Sequence, residues 1–399
     1  MVRLRARGHE VTILTGSWRL PDVADPPEER DRGSRDTTLR DLHIYWDDHR
    51  LLSPPLHRRA AVEHDNQNVL RAVLDQVRPD VVSAWNMGVM SFGLLSTVIE
   101  RKTPLVCVVC NDWLDWGPRQ DPWARLFLGR PRLAAAARGI TGLPTTLPDL
   151  GANATFCFVS AATRRRAVAR APWTLVDTTI VYSGIDRRDF PPIDHEAPER
   201  PWRWRLLYVG RIDETKGLTT LIRALTCLPR EATLEMLGRG NQQHLGELRT
   251  LASQLDLGGR VRFGAVERAE LRDHYREADV LVFPSTWDEP FGLVPVEAMA
   301  CATPVVATGT GGSSEFLFDG INCLYHHPGD PASLAGAVRR LAGDPQLRRS
   351  LTASGLRTAD EFTNERLTDV LEAWHVAAAR RFEDGRPRHR APPDPGSGS

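Results

Sequence analysis

At 399 residues the chain is long enough to bury two α/β cores, each in its own domain. Lys+Arg and Asp+Glu both total 51, so overall charge excludes a general attraction to nucleic acid or to a membrane surface, and any electrostatic preference must be local. No run reaches the roughly 18 apolar residues of a membrane-spanning helix, the first residues carry no signal-peptide pattern, and the six cysteines follow neither a disulfide nor a zinc rhythm.

The predicted elements alternate strand and helix. In the first half, apolar runs at residues 11–14, 81–84, 105–109, 155–159 and 179–181 are separated by helix-compatible stretches, the pattern of βα units around a parallel sheet. Cys107 and Cys110 form a C-x-x-C, but their spacing inside an apolar run sends them to opposite faces of a strand, so neither redox nor metal use is expected. Residues 121–130 combine a helix start with Trp123, Phe127, Arg125 and Arg130. Membrane-surface docking, a lipid-linked acceptor, and an ordinary surface segment with an apolar underside all fit that composition. Of the first-half tryptophans (Trp18, Trp46, Trp85, Trp113, Trp116 and Trp123), most are expected to pack, though each could stack on a sugar.

A proline-rich, charged passage over residues 187–202 reads as an interdomain connection. The strand rhythm restarts at residues 206–209 and repeats at 234–237, 261–263, 280–283, 305–307 and 323–325. A last helix is expected over residues 364–381, with Leu367, Val370, Leu371, Trp374 and Ala378 at helical spacing. Residues 384–399, rich in Pro, Gly, Arg and Ser, are expected to be disordered. The fold class is therefore α/β, with two doubly wound Rossmann-like domains facing a cleft.

Three second-half motifs carry chemistry. The stretch Gly210-Arg211-Ile212-Asp213-Glu214-Thr215-Lys216-Gly217 follows a strand and precedes a helix, and in open sheets ligands gather at strand carboxyl ends. Arg211 offers a fork of donors and Lys216 a compact ammonium, a pair suited to a diphosphate or merely to a solvated turn. Only Lys102 and Lys216 are lysines in a chain that otherwise writes its cations as arginine, which singles Lys216 out. Thr308-Gly309-Thr310-Gly311-Gly312-Ser313 also follows a strand and resembles a glycine-rich anion cradle, a weak signal alone.

The third motif runs from Trp287 to Glu297. Pro290, Gly292 and Pro295 break any continuous helix, so Glu289 belongs to a loop, while Glu297 is expected in the first turn of a helix that Pro295 opens. Backbone N–H groups around Phe291, Gly292, Leu293 and Val294, at a positive helix end, suit a phosphate or a sugar hydroxyl. On spacing alone the two glutamates could be a general acid and base, or simply solvated acids.

Taken in order, these residues resemble a known family. Gly210-Arg211 with Lys216-Gly217-Leu218, Glu289-Pro290-Phe291-Gly292-Leu293 with Glu297-Ala298-Met299-Ala300, Pro304-Val305-Val306-Ala307, Gly311-Gly312 with Glu315, and Asp319-Gly320 are similar to the retaining glycosyltransferases of the GT-B fold, often called family four. The resemblance implies an acceptor-side domain over residues 1–190, a linker at 191–203, a nucleotide-sugar domain at 204–363, a helix at 364–382 packing back on the first domain, and a tail at 383–399.

It also implies roles. Gly210, Arg211 and Lys216 would bind the donor diphosphate, Glu289 the donor sugar, Glu297 the ribose, and Phe291, Gly292, Leu293 and Val294 would add backbone contacts. Arg211, Lys216 and Glu289, with Asn111 and Asp112 on the first domain, would form the catalytic set. The chemistry would be front-face substitution with retention, using the nucleotide-sugar as co-substrate and neither cofactor nor metal. The acceptor would be a glycan, a glycolipid or a small molecule, at a cytoplasmic location compatible with peripheral membrane contact.

Two departures stand out. Relatives place a strand and a glycine-rich loop before the residues matching Arg5 to Thr15, so the first strand is expected to be missing and the true start upstream. Asn111 stands where many relatives carry histidine; its amide can donate to a sugar or phosphate oxygen, or cap a strand end, but cannot change charge. Two alternatives to a transferase remain at this point: a donor-binding but inactive homologue, and a GT-B-like sugar-nucleotide epimerase. No motif names the sugar, the base or the acceptor.

Overall fold

The computed structural model describes residues 1–16, 38–47, 50–192 and 201–383. Trp18, the expected tail at 384–399, and residues 193–200 of the expected linker lie outside the described residues. The chain divides into two compact units, Met1–Val181 together with the chain from Thr368 onward, and Tyr182–Leu367. The second unit thus begins well before residue 204. The reason is packing: the Tyr182 ring lies 5.8 Å from Phe291 and 5.6 Å from Phe362, and Phe190 lies 6.0 Å from Tyr275.

In the first unit, β1 (Ile13–Gly16) and β2 (Thr38–Leu42) form a parallel ladder, and β3 (Trp46–Asp47) and β4 (Arg50–Leu51) an antiparallel pair. A separate parallel sheet runs in chain order through β5 (Val82–Trp85), β6 (Leu105–Val109), β7 (Ala154–Phe158) and β8 (Thr178–Ile180). Every residue of β6 and β7 is buried, which is why they read as continuous apolar runs. By contrast β2, with the sequence TLRDL, is mostly half-buried and gave no apolar run to see. Cys107 is buried inside β6 and Cys110 lies just past its end; none of the six cysteines forms a disulfide.

The last helix, Asn364–Glu383, packs on this unit from Thr368 onward. Leu371, Trp374 and Ala378 are buried, one stripe at helical spacing, whereas Val370 faces solvent. Polar clasps reinforce the stripe. Arg7 pairs with Asp369 and Glu372, His9 Nε2 meets Glu372 at 2.7 Å, His375 Nε2 meets the Ser83 hydroxyl at 2.8 Å, and Arg381 lies 2.8 Å from the buried Asp177.

The second unit holds one six-stranded parallel sheet: β9 (Arg205–Val209), β10 (Thr233–Leu237), β11 (Val261–Gly264), β12 (Val280–Phe283), β13 (Val305–Ala307) and β14 (Leu324–Tyr325). Their spatial order is β11-β10-β9-β12-β13-β14, so the strand that comes first in sequence is central and the order reverses between β9 and β12. At such a reversal the helices leave toward opposite faces and a crevice opens beyond the strand ends. Leu206, Tyr208, Val280, Val282 and Val306 fill the layer beneath one face.

Candidate functional site

The loops after β9, β12 and β13 meet at that reversal. After β9 the backbone turns at Gly210, and a short 3-10 turn, Glu214–Lys216, ends at Gly217 with φ +67°. A β-carbon on Gly217 would fall on the Pro284 carbonyl oxygen, so only glycine lets the lysine loop press against the end of β12. Thr286 N–H donates to the Thr215 carbonyl at 2.9 Å and locks the contact.

That docking brings Lys216 and Glu289 together. Lys216 Nζ donates to Glu289 Oε1 at 2.5 Å, and both side chains are about nine-tenths buried, 12% and 8% exposed. A buried pair of this kind is costly to break from either side, because the remaining charge is left without compensation. The ammonium has three N–H donors and the carboxylate about four lone-pair directions, so each keeps bonding capacity toward a ligand.

Arg211 behaves differently. Its side chain is 72% exposed and pairs with Asp213 at 3.2 Å, and no contact joins it to Glu289. Burial raises the Asp213 carboxyl, but bonds from Thr215 and the charges of Arg211 and Lys216 outweigh it and hold the group below its usual range. The loop therefore offers one sheltered and one exposed cation.

The glycine-rich loop after β13 supports the acid instead of forming an open cradle. Gly311, at φ +60°, comes so close that a β-carbon would meet the Asp288–Glu289 backbone, and Gly312 N–H donates to the Glu289 carbonyl at 2.6 Å. Thr310 Oγ1 donates to the Trp287 carbonyl at 2.8 Å. The loop runs into a 3-10 turn, Gly311–Glu315.

Beyond Glu289 the helix Leu293–Ala300 starts two residues before Pro295, with Gly292 as its cap. Proline is tolerated as third residue because the first helical N–H groups have no intrahelical acceptor anyway. Glu297 is consequently the fifth residue and opens the second turn, not the first. Phe291 is buried, its ring 4.9 Å from Phe316 and 5.4 Å from Phe362, so its side chain belongs to the core and only its backbone can face a ligand. Leu293 and Val294 stay half-exposed at the helix start.

Glu297 does not join the Lys216 pair. Its Oε1 accepts from Arg268 at 3.1 Å and its Oε2 from the Tyr275 hydroxyl at 2.8 Å. Burial pushes its carboxyl up, while Arg268 and Tyr275 pull it back. Neither partner was visible in the sequence, since an Arg just before an ordinary helix and a Tyr within it carry no motif.

On the first unit, the Asn111 side-chain oxygen accepts from Trp113 N–H at 3.0 Å, a local cap after β6, while Asp112 pairs with Arg166 at 2.9 Å. Of the segment at 121–130, Asp121, Trp123, Ala124 and Phe127 are buried, which is the apolar-underside reading. Exposed apolar side chains appear just after it instead: Leu128, then Leu133 and Ile140 on the helix Pro131–Thr141, with Ile140 86% exposed. Residues 122–148 contain four arginines and no acid.

A doubly wound α/β protein with a cation–carboxylate pair at its strand-order reversal is the class that fold and site define. Models of two sequence families match it, Glycosyltransferase Family 4 over residues 1–189 and Glycosyl transferases group 1 over residues 191–357. The chain belongs to this glycosyltransferase family. It is 36% identical over 217 residues to a D-inositol 3-phosphate glycosyltransferase of Xylanimonas cellulosilytica, covering 51% of this chain and 52% of the relative. The chain spans about half the length of the curated relatives it matches. In fold it is similar to the sucrose-phosphate synthase of Thermosynechococcus elongatus (TM-score 0.68, 22% identity, 96% of this chain and 91% of that one). It is also similar to HepE of Anabaena in complex with UDP and glucose (TM-score 0.61, 19% identity, 85% and 86% covered).

Proposed function

We propose that the protein transfers a sugar from a nucleotide-diphosphate donor to an acceptor hydroxyl, with retention at the anomeric carbon. The buried Lys216–Glu289 pair at the strand-order reversal carries this reading, supported by the UDP-bound fold relative and the named transferase relative. Lys216 and Arg211 meet the diphosphate, and their attraction grows as the sugar–phosphate bond breaks and charge develops on the leaving oxygen. Glu289 accepts from donor-sugar hydroxyls, Glu297 from the ribose, and the Gly210 turn and the backbone at Phe291, Gly292, Leu293 and Val294 complete the cradle. The acceptor oxygen bonds the anomeric carbon on the face the diphosphate leaves, and its proton passes to the departing phosphate oxygen.

On the first unit Asn111 keeps an amide nitrogen to offer a substrate oxygen, and Asp112 holds Arg166 beside it. No metal or cofactor enters this scheme. A calorimetric screen of UDP-, GDP- and ADP-sugars, followed by a transfer assay, tests it; stabilisation follows RT ln(1 + [L]/Kd). Binding without transfer to any glycan, glycolipid or small-molecule acceptor would favour a donor-binding protein, and isomerised donor an epimerase.

The exposed Leu128, Leu133 and Ile140, beside acid-free arginine-bearing chain, support peripheral contact with an anionic cytoplasmic membrane face. No helix among the described residues is long and apolar enough to cross a membrane. Flotation with phosphatidylglycerol vesicles at low salt, lost in Leu133→Asp/Ile140→Asp, is the expected result; equal flotation of both proteins ends the idea.

A further inference from the structure

Glu297 is held by two donors, one on each oxygen, that share an aromatic wall. Tyr275, fully buried on the helix Leu271–Glu277, donates its hydroxyl to Oε2 at 2.8 Å, and its own carbonyl is fixed by the Thr303 hydroxyl at 2.6 Å. Arg268 donates to Oε1 at 3.1 Å and, through Nε, to Asp189 at 2.9 Å. The Phe190 ring stands edge-on to Tyr275 at 6.0 Å and lies 5.5 Å beneath the Arg268 guanidinium. Tyrosine ring, phenylalanine ring and guanidinium therefore form one packed block with the carboxylate.

A carboxylate offers about four lone-pair directions, two on each oxygen. Tyr275 and Arg268 use one on each. One direction per oxygen remains, enough to accept one hydrogen bond from each hydroxyl of a vicinal diol. A glutamate free to turn about its own torsions would meet one hydroxyl at a time and lose rotamer entropy on binding.

We propose that Tyr275 and Arg268 are positioning residues that fix Glu297 so that it accepts both ribose hydroxyls at once, and that they thereby set a preference for ribonucleotides over 2′-deoxyribonucleotides. The proposal rests on the reading of Glu297 as the ribose carboxylate. Burial alone drives this carboxyl toward its protonated form, in which one oxygen turns from acceptor to donor; the two partners oppose that change. The preference of Tyr275→Phe should accordingly fall further as pH is lowered than that of the unaltered protein.

The test is calorimetry on the full chain with UDP, GDP and ADP and the 2′-deoxy counterpart of each, using the base that binds tightest. The unaltered protein should favour the ribonucleotide by at least about tenfold, as expected for losing a hydrogen bond to a charged acceptor. Tyr275→Phe, which keeps the buried ring, and Arg268→Met should each shrink that ratio to about threefold or less, chiefly by weakening the ribonucleotide. If Tyr275→Phe weakens both nucleotides equally and leaves the ratio intact, the two residues only pack, and the proposal falls. If Glu297→Gln keeps the full preference, or no nucleotide binds the unaltered protein, the assignment of Glu297 itself is wrong, a separate failure.

Discussion

Glu289 and Glu297 are almost completely buried in one unit, Glu63 and Asp121 in the other, yet what faces them differs. Glu289 meets the Lys216 ammonium, and Glu297 meets Arg268 and Tyr275. Asp121 is wrapped by the backbone N–H groups of Phe92, Trp123 and Ala124 at 2.7, 2.9 and 2.8 Å, and Glu63 takes the Tyr45 hydroxyl at 2.7 Å. Arg59, close in sequence to Glu63, spends its guanidinium on the Pro54 and Pro122 carbonyls and the Ser53 hydroxyl. A carboxylate held by side-chain cations on strand-end loops can exchange or share partners with a phosphate or a sugar. One wrapped in backbone amides has no partner to give up. Burial of an acid alone therefore does not mark a site; a cationic partner carried on a strand-end loop does, unlike the clasp of Asp177 by Arg381 on the last helix.

The largest test removes a cation. Lys216→Ala should lower turnover by about 100- to 1000-fold, read in a donor-saturation assay, because it takes away a donor aimed at developing charge and strands Glu289. Undiminished turnover would sink the contrast. Asp121→Ala should instead cost about 3 kcal/mol of stability in denaturant titration, leaving three amides unpaired, with nucleotide affinity unchanged.

Third in size is a pH effect confined to the first unit. Burial, aided by the charge of Asp121, pushes Glu63 from 4.5 up to about 7, against bonds from Tyr45 and Ser91. A group raised in the folded state keeps its proton there while the unfolded chain loses it. Its contribution is thus full below pH 4.5 and is lost as pH rises through about 7. Glu63→Gln should flatten the melting temperature over that window; an unchanged slope would show that Glu63 does not titrate there. Smallest, Asn111→Ala should cost about 1 kcal/mol, the worth of a side-chain cap, seen as a shift of a few degrees in thermal melting.

The sheet of the second unit was legible almost to the residue, because a strand covered on both faces must be apolar throughout: residues 280–283 and 305–307 match β12 and β13. Lys216, Glu289 and Glu297 were legible because glycines and prolines bracket them. What the sequence hid is pairing between segments distant along the chain. Nothing local says that Lys216 will find Glu289 while Arg211 stays in solvent, nor that Tyr275 and Arg268 will grip Glu297. Residues 121–130 left several readings open for a related reason: an aromatic–basic mixture reads alike whether Trp123 and Phe127 point out or, as here, in.

The helix Asn364–Glu383 gives the first unit a discontinuous chain, for Ser83 and the buried Asp177 find His375 and Arg381 only there. During synthesis that unit must wait, with a buried acid unanswered and an apolar stripe's seat uncovered, until some 190 further residues have been made. The later half of the protein is under no such delay, and should be the first to mature.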